Sequence, residues 1–337
     1  MTALQLTAIV LWLGLTAYAV FGGADFGAGF WDLVAGGTPR GAAARALIAD
    51  AIGPVWEANH TWLIFDLVIL WTAFPPAFAA IMSTLFVPLT LAALGIVLRG
   101  AAFAFRPVAA GSLGRRAAGA VFAMSSVVTP FFLGAAGGAI ASGRVPAGNA
   151  AGDPWTSWLN PTSILVGLLA IATCAYLAAV FLVADARRRS QRELVDYFRR
   201  RATLAALAAG ALAVAGIGVL RVDAPLLADE LTGRGWPFIL ASGAFGTAAL
   251  ALLRRGSPNG TRVLAVGAVV AVVWGWGVAQ YPYILPGAMS LTDAAAPAGS
   301  LEALLVVFVV AALVIAPSLG LLYYLDQRSR LVGHAPE

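Results

Sequence analysis

Six ionisable residues crowd the first two long apolar runs of this sequence and the stretch joining them: Asp25, Asp32, Asp50, Glu57, His60 and Asp66. An ionisable side chain inside lipid is costly enough to point to a substrate path, an ion path or a proton relay. In "FGGADFGAGFWD", Asp25 and Asp32 are seven residues apart, so a helix puts them nearly on one face, about 10 Å apart along its axis. In "IGPVWEANHTWLIFDLVILW", Glu57 and His60 are three apart and share a face. Asp66 lies about half a turn round from Glu57 and roughly 13 Å further along. A carboxylate withdrawn from water can alternate between neutral and charged forms as protons pass, and a histidine can share the relay. The proton-path candidates are therefore Asp25, Glu57, His60 and Asp66, with structural hydrogen bonding as the alternative for each. Asp32 and Asp50 are expected at the wet boundary. Gly22, Gly23, Gly27 and Gly29 around Asp25 include the small-xxx-small spacing that lets a second helix approach closely and shield the acid from lipid.

The elements that would hold these residues follow from composition. Of the 337 residues, 61% are hydrophobic and 11% charged, with a mean hydropathy of +0.87, whereas soluble domains carry about 25% charged residues. The surplus apolar surface needs lipid to face, so the expectation is one polytopic all-α membrane domain over 1–337 with no soluble domain beside it. Nine apolar runs are long enough to cross, at approximately 4–34, 53–74, 77–99, 117–141, 162–185, 203–221, 236–254, 262–284 and 301–325. "FPPA" at Phe74 to Ala77 is the tightest connection, and its prolines can end one helix and start the next. The first basic residue is Arg40, so the opening run is expected to be a retained helix and not a signal peptide.

All 21 basic residues are arginine, and the net charge is +5. They sit almost entirely between the apolar runs, which speaks for topology and against a nucleic-acid partner. Only Arg144, Arg221 and Arg234 follow even-numbered runs; the rest, including Arg99 with Arg106, Arg115 and Arg116, follow odd-numbered ones. The positive-inside rule then puts the amino terminus outside and the carboxyl terminus in the cytoplasm. "DARRRSQRELVDYFRRR" reads as a cytoplasmic anchor with a secondary affinity for anionic lipid. Trp155, Trp158 and Trp236 suit the interfacial belt. Cys174, the single cysteine, is expected to be a small buried hydrophobe.

Redox chemistry within the chain is short of ligands. Haem needs axial His, Met, Cys or Tyr, and the supply is His60 in a span, His334 in the tail, and Met82, Met124 and Met289 beyond the start. No cofactor and no metal is assigned to this chain, and no CxxCH, Walker A or dinucleotide glycine pattern occurs. "VAQYPYILPGAMSLTDAAAP" is expected to be a proline-broken helix end, with Gln280, Tyr281, Pro282 and Pro286 as an alternative partner or quinone surface. "TPFFLGAAGG" faintly echoes "YPYILPGAMS", as an ancestral four-helix unit used twice would.

Together "GADFGAGFWDL", "IGPVWEANHTWLI", "LWTAFPPAFA", "LGIVLRGAAFAFR" and "YPYILPGAM" resemble subunit II of the cytochrome bd-type quinol oxidases, including the cyanide-insensitive type. The "WEANH" form, with glutamate at 57, is similar to that of cyanide-insensitive and actinobacterial-type members; other members carry aspartate there. The resemblance implies two four-helix bundles plus one peripheral helix. It also implies a heterodimer in the bacterial cytoplasmic membrane, in which a subunit I carries three haems of b and d type, quinol is oxidised and dioxygen is reduced to water. Small single-span accessory subunits and lipid are further partners it suggests. This chain would be the non-haem half, not catalytic alone, and the acids matching Asp25 and Glu57 would belong to a cytoplasmic proton route. Some members bind a structural quinone in this subunit, but no motif here fixes a site. A secondary transporter would also need buried acids, although the acids here lie in two helices with no matched pair of broken helices. A structural scaffold is the third alternative.

Overall fold

The computed structural model describes residues 1–35, 39–52, 56–105, 111–257 and 259–327. The chain is helical almost throughout, as lipid demands, because a helix satisfies its own backbone polar groups. The first crossing is α1 (Ala3–Ala17), a π-helical turn (Tyr18–Gly22) and α2 (Gly23–Ala35). Thr2 starts it with a capping box closed by Gln5. There follow α3 (Pro39–Ile52), α4 (Trp56–Ala73), α5 (Pro75–Thr84), α6 (Phe86–Phe105), α7 (Gly111–Ala141), α8 (Pro161–Arg188) and α9 (Arg192–Asp223). After α10 (Pro225–Gly233) come α11 (Trp236–Arg255) and α12 (Thr261–Gln280). A small antiparallel hairpin, β1 (Tyr283–Leu285) and β2 (Met289–Ser290), then leads through α13 (Leu291–Ala294) to α14 (Ala298–Gln327).

Among the described residues, eight helices are long and apolar enough to cross a membrane. Of the nine expected crossings, the remaining one coincides with α4, 18 residues that include Asn59, His60 and Asp66. Those polar residues lower its mean hydropathy. The FPPA connection is as tight as expected: Phe74 alone separates α4 from α5, with Pro75 in the first turn of α5. Leu85 separates α5 from α6, and Pro88, in the first turn of α6, lacks the N–H that would bond to the Thr84 carbonyl and carry one helix straight into the next.

Four expectations change. The arginine-rich stretch after α8 is mostly helix: the chain turns at Arg189–Gln191, with Ser190 at φ 57°, and α9 begins at Arg192. The third apolar run extends past its expected end, so Arg99 lies inside α6. Trp158 is buried, donating from its indole to the Pro154 carbonyl and packing on Phe132, while Trp155 and Trp236 are exposed. The two echoing segments differ in structure, TPFFLGAAGG being interior helix of α7 and YPYILPGAMS a hairpin. There Gln280 is a hydrogen-bonded helix end, accepting from the Trp276 indole and donating to the Ile284 carbonyl.

Two cores hold the helices together. One joins α2, α3, α8 and α9 through Trp31, Leu47, Ile48, Leu177 and Phe198; the other joins α1, α4, α5, α7 and the hairpin through Val10, Ile69, Ile81, Ala135 and Leu285. Cys174 is a buried free cysteine on α8, packed with Tyr18 and Phe26.

Candidate functional site

The site begins with the glycines of α2. A Cβ on Gly27 would lie 1.8 Å from the Cys174 carbonyl oxygen of α8, and one on Gly29 would lie 2.1 Å from Ser126 Oγ of α7. Only glycine permits that approach, and it seats α2 between α7 and α8. The Trp31 indole then donates to the Ala175 carbonyl at 2.8 Å and fixes the register. Asp25 is thereby enclosed, 4% exposed.

Its partner is Arg99 of α6, the largest fully buried side chain among the described residues, at 1% exposure. Arg99 Nη2 donates to Asp25 Oδ1 at 3.0 Å and to the Asp25 carbonyl at 2.9 Å, while Nε donates to Ser126 Oγ at 3.0 Å. The guanidinium also lies over the Phe122 ring at 4.5 Å and the Phe26 ring at 5.3 Å. Such pairing is what a desolvated charge requires, because an unpaired ion in a low-dielectric interior costs several kcal/mol.

The other carboxylate oxygen differs. Asp25 Oδ2 has no hydrogen-bond partner, and His60 Nε2 of α4 stands 3.6 Å away. His60 Nδ1 in turn lies 3.5 Å from the Tyr18 hydroxyl, at the outer limit of a hydrogen bond. The imidazole packs edge-on to Phe26 with centroids 5.4 Å apart. The result is a fixed ion pair on one side of Asp25 and a loosely spaced series of exchangeable groups, Oδ2, imidazole and phenol, on the other.

The structure thus brings two of the four candidates, Asp25 and His60, together. Asp66 is a separate, half-buried residue whose Oδ1 is enclosed: a Cβ on Gly14 would fall 2.0 Å from that oxygen, which has no hydrogen-bond partner. The side chain of Glu57 lies outside the described residues; its backbone is in the first turn of α4. Asp32, expected at the wet boundary, is buried at 7% exposure because the face of α2 that carries it stays in the core as far as Trp31 and Asp32, and only Leu33 and Val34 beyond it are exposed. Asp50 is at the surface, as expected, paired with Arg189.

Arg99, Ser126 and Tyr18 were not legible as site residues. Arg99 stood with the topology arginines, although the apolar "GAAFAF" beyond it signalled that the helix continues.

A many-helix membrane fold with an enclosed acid–base cluster is the class these observations define. The model for cytochrome bd terminal oxidase subunit II matches residues 3–326, and the chain belongs to that family. It is similar to the cytochrome bd ubiquinol oxidase subunit 2 of Bacillus subtilis (strain 168), 33% identical over 101 residues. That stretch spans 28% of this chain and 29% of the relative, so less than a third of that protein is matched. The solved structure of the bd oxidase from Geobacillus thermodenitrificans superposes with a TM-score of 0.74 at 26% identity, covering 96% of this chain and 98% of that one.

Proposed function

We propose that this chain is the haem-free second subunit of a bacterial inner-membrane oxidase that oxidises quinol and reduces dioxygen to water, and that Asp25 and His60 carry protons toward a haem-bearing subunit I. The observation that carries the reading is the asymmetry of Asp25: Oδ1 is held by buried Arg99, while Oδ2 is unbonded and faces His60. A group that must bind and release a proton needs one oxygen free for it. Arg99 keeps a positive charge opposite the carboxylate in both of its states. His60, with an acid at one ring nitrogen and a phenol at the other, can take a proton on one side and give it up on the other.

In this reading protons enter from the cytoplasm near Glu57, pass Asp25 and His60, and leave by way of Asp66. The amino terminus faces out, and nine crossings arranged as two four-helix bundles and a peripheral helix frame the path. Haem does not fit His60, whose two ring nitrogens already face the Asp25 carboxylate and the Tyr18 hydroxyl. The redox centres therefore belong to the partner, where haem supplies the electron transfer and oxygen chemistry. Quinol, lipid and small accessory subunits complete the assembly.

The test is purification in mild detergent through a tag on this chain. Haem spectra and quinol-dependent oxygen uptake should accompany it, and Asp25→Asn or Glu57→Gln should slow uptake without removing haem. Unchanged turnover in both variants refutes the proton path; a haem-free preparation active as a transporter in liposomes refutes the oxidase reading.

A further inference from the structure

The turn between α11 and α12 carries a reactive pair that the proton-path reading does not use, Asn259 followed by Gly260. The chain has four asparagines, and the other three are protected in different ways. Asn59 is buried inside α4 at 4% exposure, with the residue after it, His60, held in the same helix. Asn160 is buried at 6% exposure; its side chain donates to the Ser157 carbonyl and accepts from the Ser163 N–H, and it precedes Pro161, which has no N–H. Asn149 is exposed, but it precedes Ala150, whose β-carbon crowds any approach of the Ala150 nitrogen to the side-chain amide.

Asn259 has none of these protections. It is exposed, and among the described residues its side chain has no hydrogen-bond partner; its backbone carbonyl alone is engaged, accepting from Ser257 Oγ at 3.2 Å. Gly260 has no β-carbon, and at φ 84° it occupies a backbone region open to glycine. As the residue that caps the start of α12 it has no intrahelical acceptor for its N–H, which makes no hydrogen bond among the described residues. The amide carbon and the nitrogen able to attack it are thus both unengaged, in adjacent surface residues. Asn259 also lines a cleft with Arg187, whose guanidinium is bonded to the neutral carbonyls of Ser257 and Gly256 and so keeps its charge there. Positive charge favours loss of the proton from the attacking nitrogen and the oxyanion that the attack creates.

We propose that Asn259 is a site of spontaneous deamidation through a succinimide. The Gly260 nitrogen, having given up its proton, bonds to Asn259 Cγ; the Cγ–Nδ2 bond then breaks and the amide nitrogen leaves as ammonia, taking up that proton. Water opens the ring at either carbonyl, giving aspartate in the ordinary main chain or isoaspartate, in which the main chain runs through Cβ and Cγ. One water is consumed and one ammonia released, with no oxidant or cofactor. Either product puts a carboxylate beside Arg187 where a neutral amide stood, and isoaspartate also lengthens the link into α12.

The experiment ages the purified complex in detergent and mildly alkaline heavy-oxygen water, as wild type and Asn259→Gln. Samples taken over time are digested at mildly acidic pH, which halts the reaction, and the peptides are separated and weighed by mass spectrometry. Heavy oxygen should enter residue 259 at least about tenfold faster than Asn149, a barrier difference of about 1.4 kcal/mol, with aspartyl and isoaspartyl peptides both present. Asn259→Gln, whose longer side chain would have to close a larger ring, should remain an amide over the same time. Conversion at 259 no faster than at 149, an aspartyl product without isoaspartate, or a glutamine that reacts as fast as the asparagine overturns the proposal.

Discussion

Replacing Arg99 with methionine tests whether the buried pair is a coupled unit. Methionine keeps much of the volume and the contact with Phe26 and Phe122 but removes the donors to Asp25 Oδ1, the Asp25 carbonyl and Ser126. The Asp25 carboxylate, its side chain 1% exposed, would then face only His60 at 3.6 Å. Removing one partner of a buried ion pair leaves an uncompensated charge and costs about 3–5 kcal/mol. Exchanging both partners for groups that need no countercharge is often close to neutral. Arg99→Met with Asp25→Asn should therefore regain at least about 2 kcal/mol over Arg99→Met alone, a coupling beyond the additive expectation. The assay is equilibrium unfolding in mixed micelles, with a denaturing detergent as the perturbant, on wild type, both single variants and the double variant. An Arg99→Met loss under about 1 kcal/mol, or a double variant equal to the sum of the singles, would refute the reasoning.

Gly27→Ala should destabilise the chain by about 1–3 kcal/mol in the same assay, because its Cβ would meet the Cys174 carbonyl oxygen and force α2 off α8. Gly218, whose Cβ would meet nothing within 4 Å, is the control and should tolerate alanine. His60→Phe preserves a ring against Phe26 while removing both nitrogens. In the purified complex it should slow oxygen uptake by at least about tenfold with haem spectra intact, since a positioned proton-transfer group contributes at least that much. Unchanged uptake would take His60 off the path.

The sequence reveals the crossings and the acids more readily than the partnerships. Apolar runs mark helices because lipid leaves the backbone no other arrangement, and Asp25 stands out because a carboxylate among Gly, Ala and Phe is conspicuous. His60 could be placed beside Glu57 by helical spacing, but its contact with Asp25 crosses between two helices and has no local signature. Arg99 was hidden by its resemblance to the arginines that end other runs; only the six residues after it show that α6 continues. Asp32 misled for the opposite reason, since its nearness to the end of an apolar run suggested water, whereas α2 stays buried to that point. Arg192–Arg201 shows that charge density marks the membrane boundary without deciding between loop and helix.

The π-helical turn at Tyr18–Gly22 gives the first crossing two orientations. One extra residue in a turn advances the phase of everything after it by about 100°. α1 can therefore turn its face to α4, α12 and α14, while α2, continuing the same rod, faces α3, α7 and α8. A residue count, more than any single side chain, aims Asp25 at Arg99. In this chain insertions and deletions near residue 20 belong with substitutions of the charged residues as changes that reset the site.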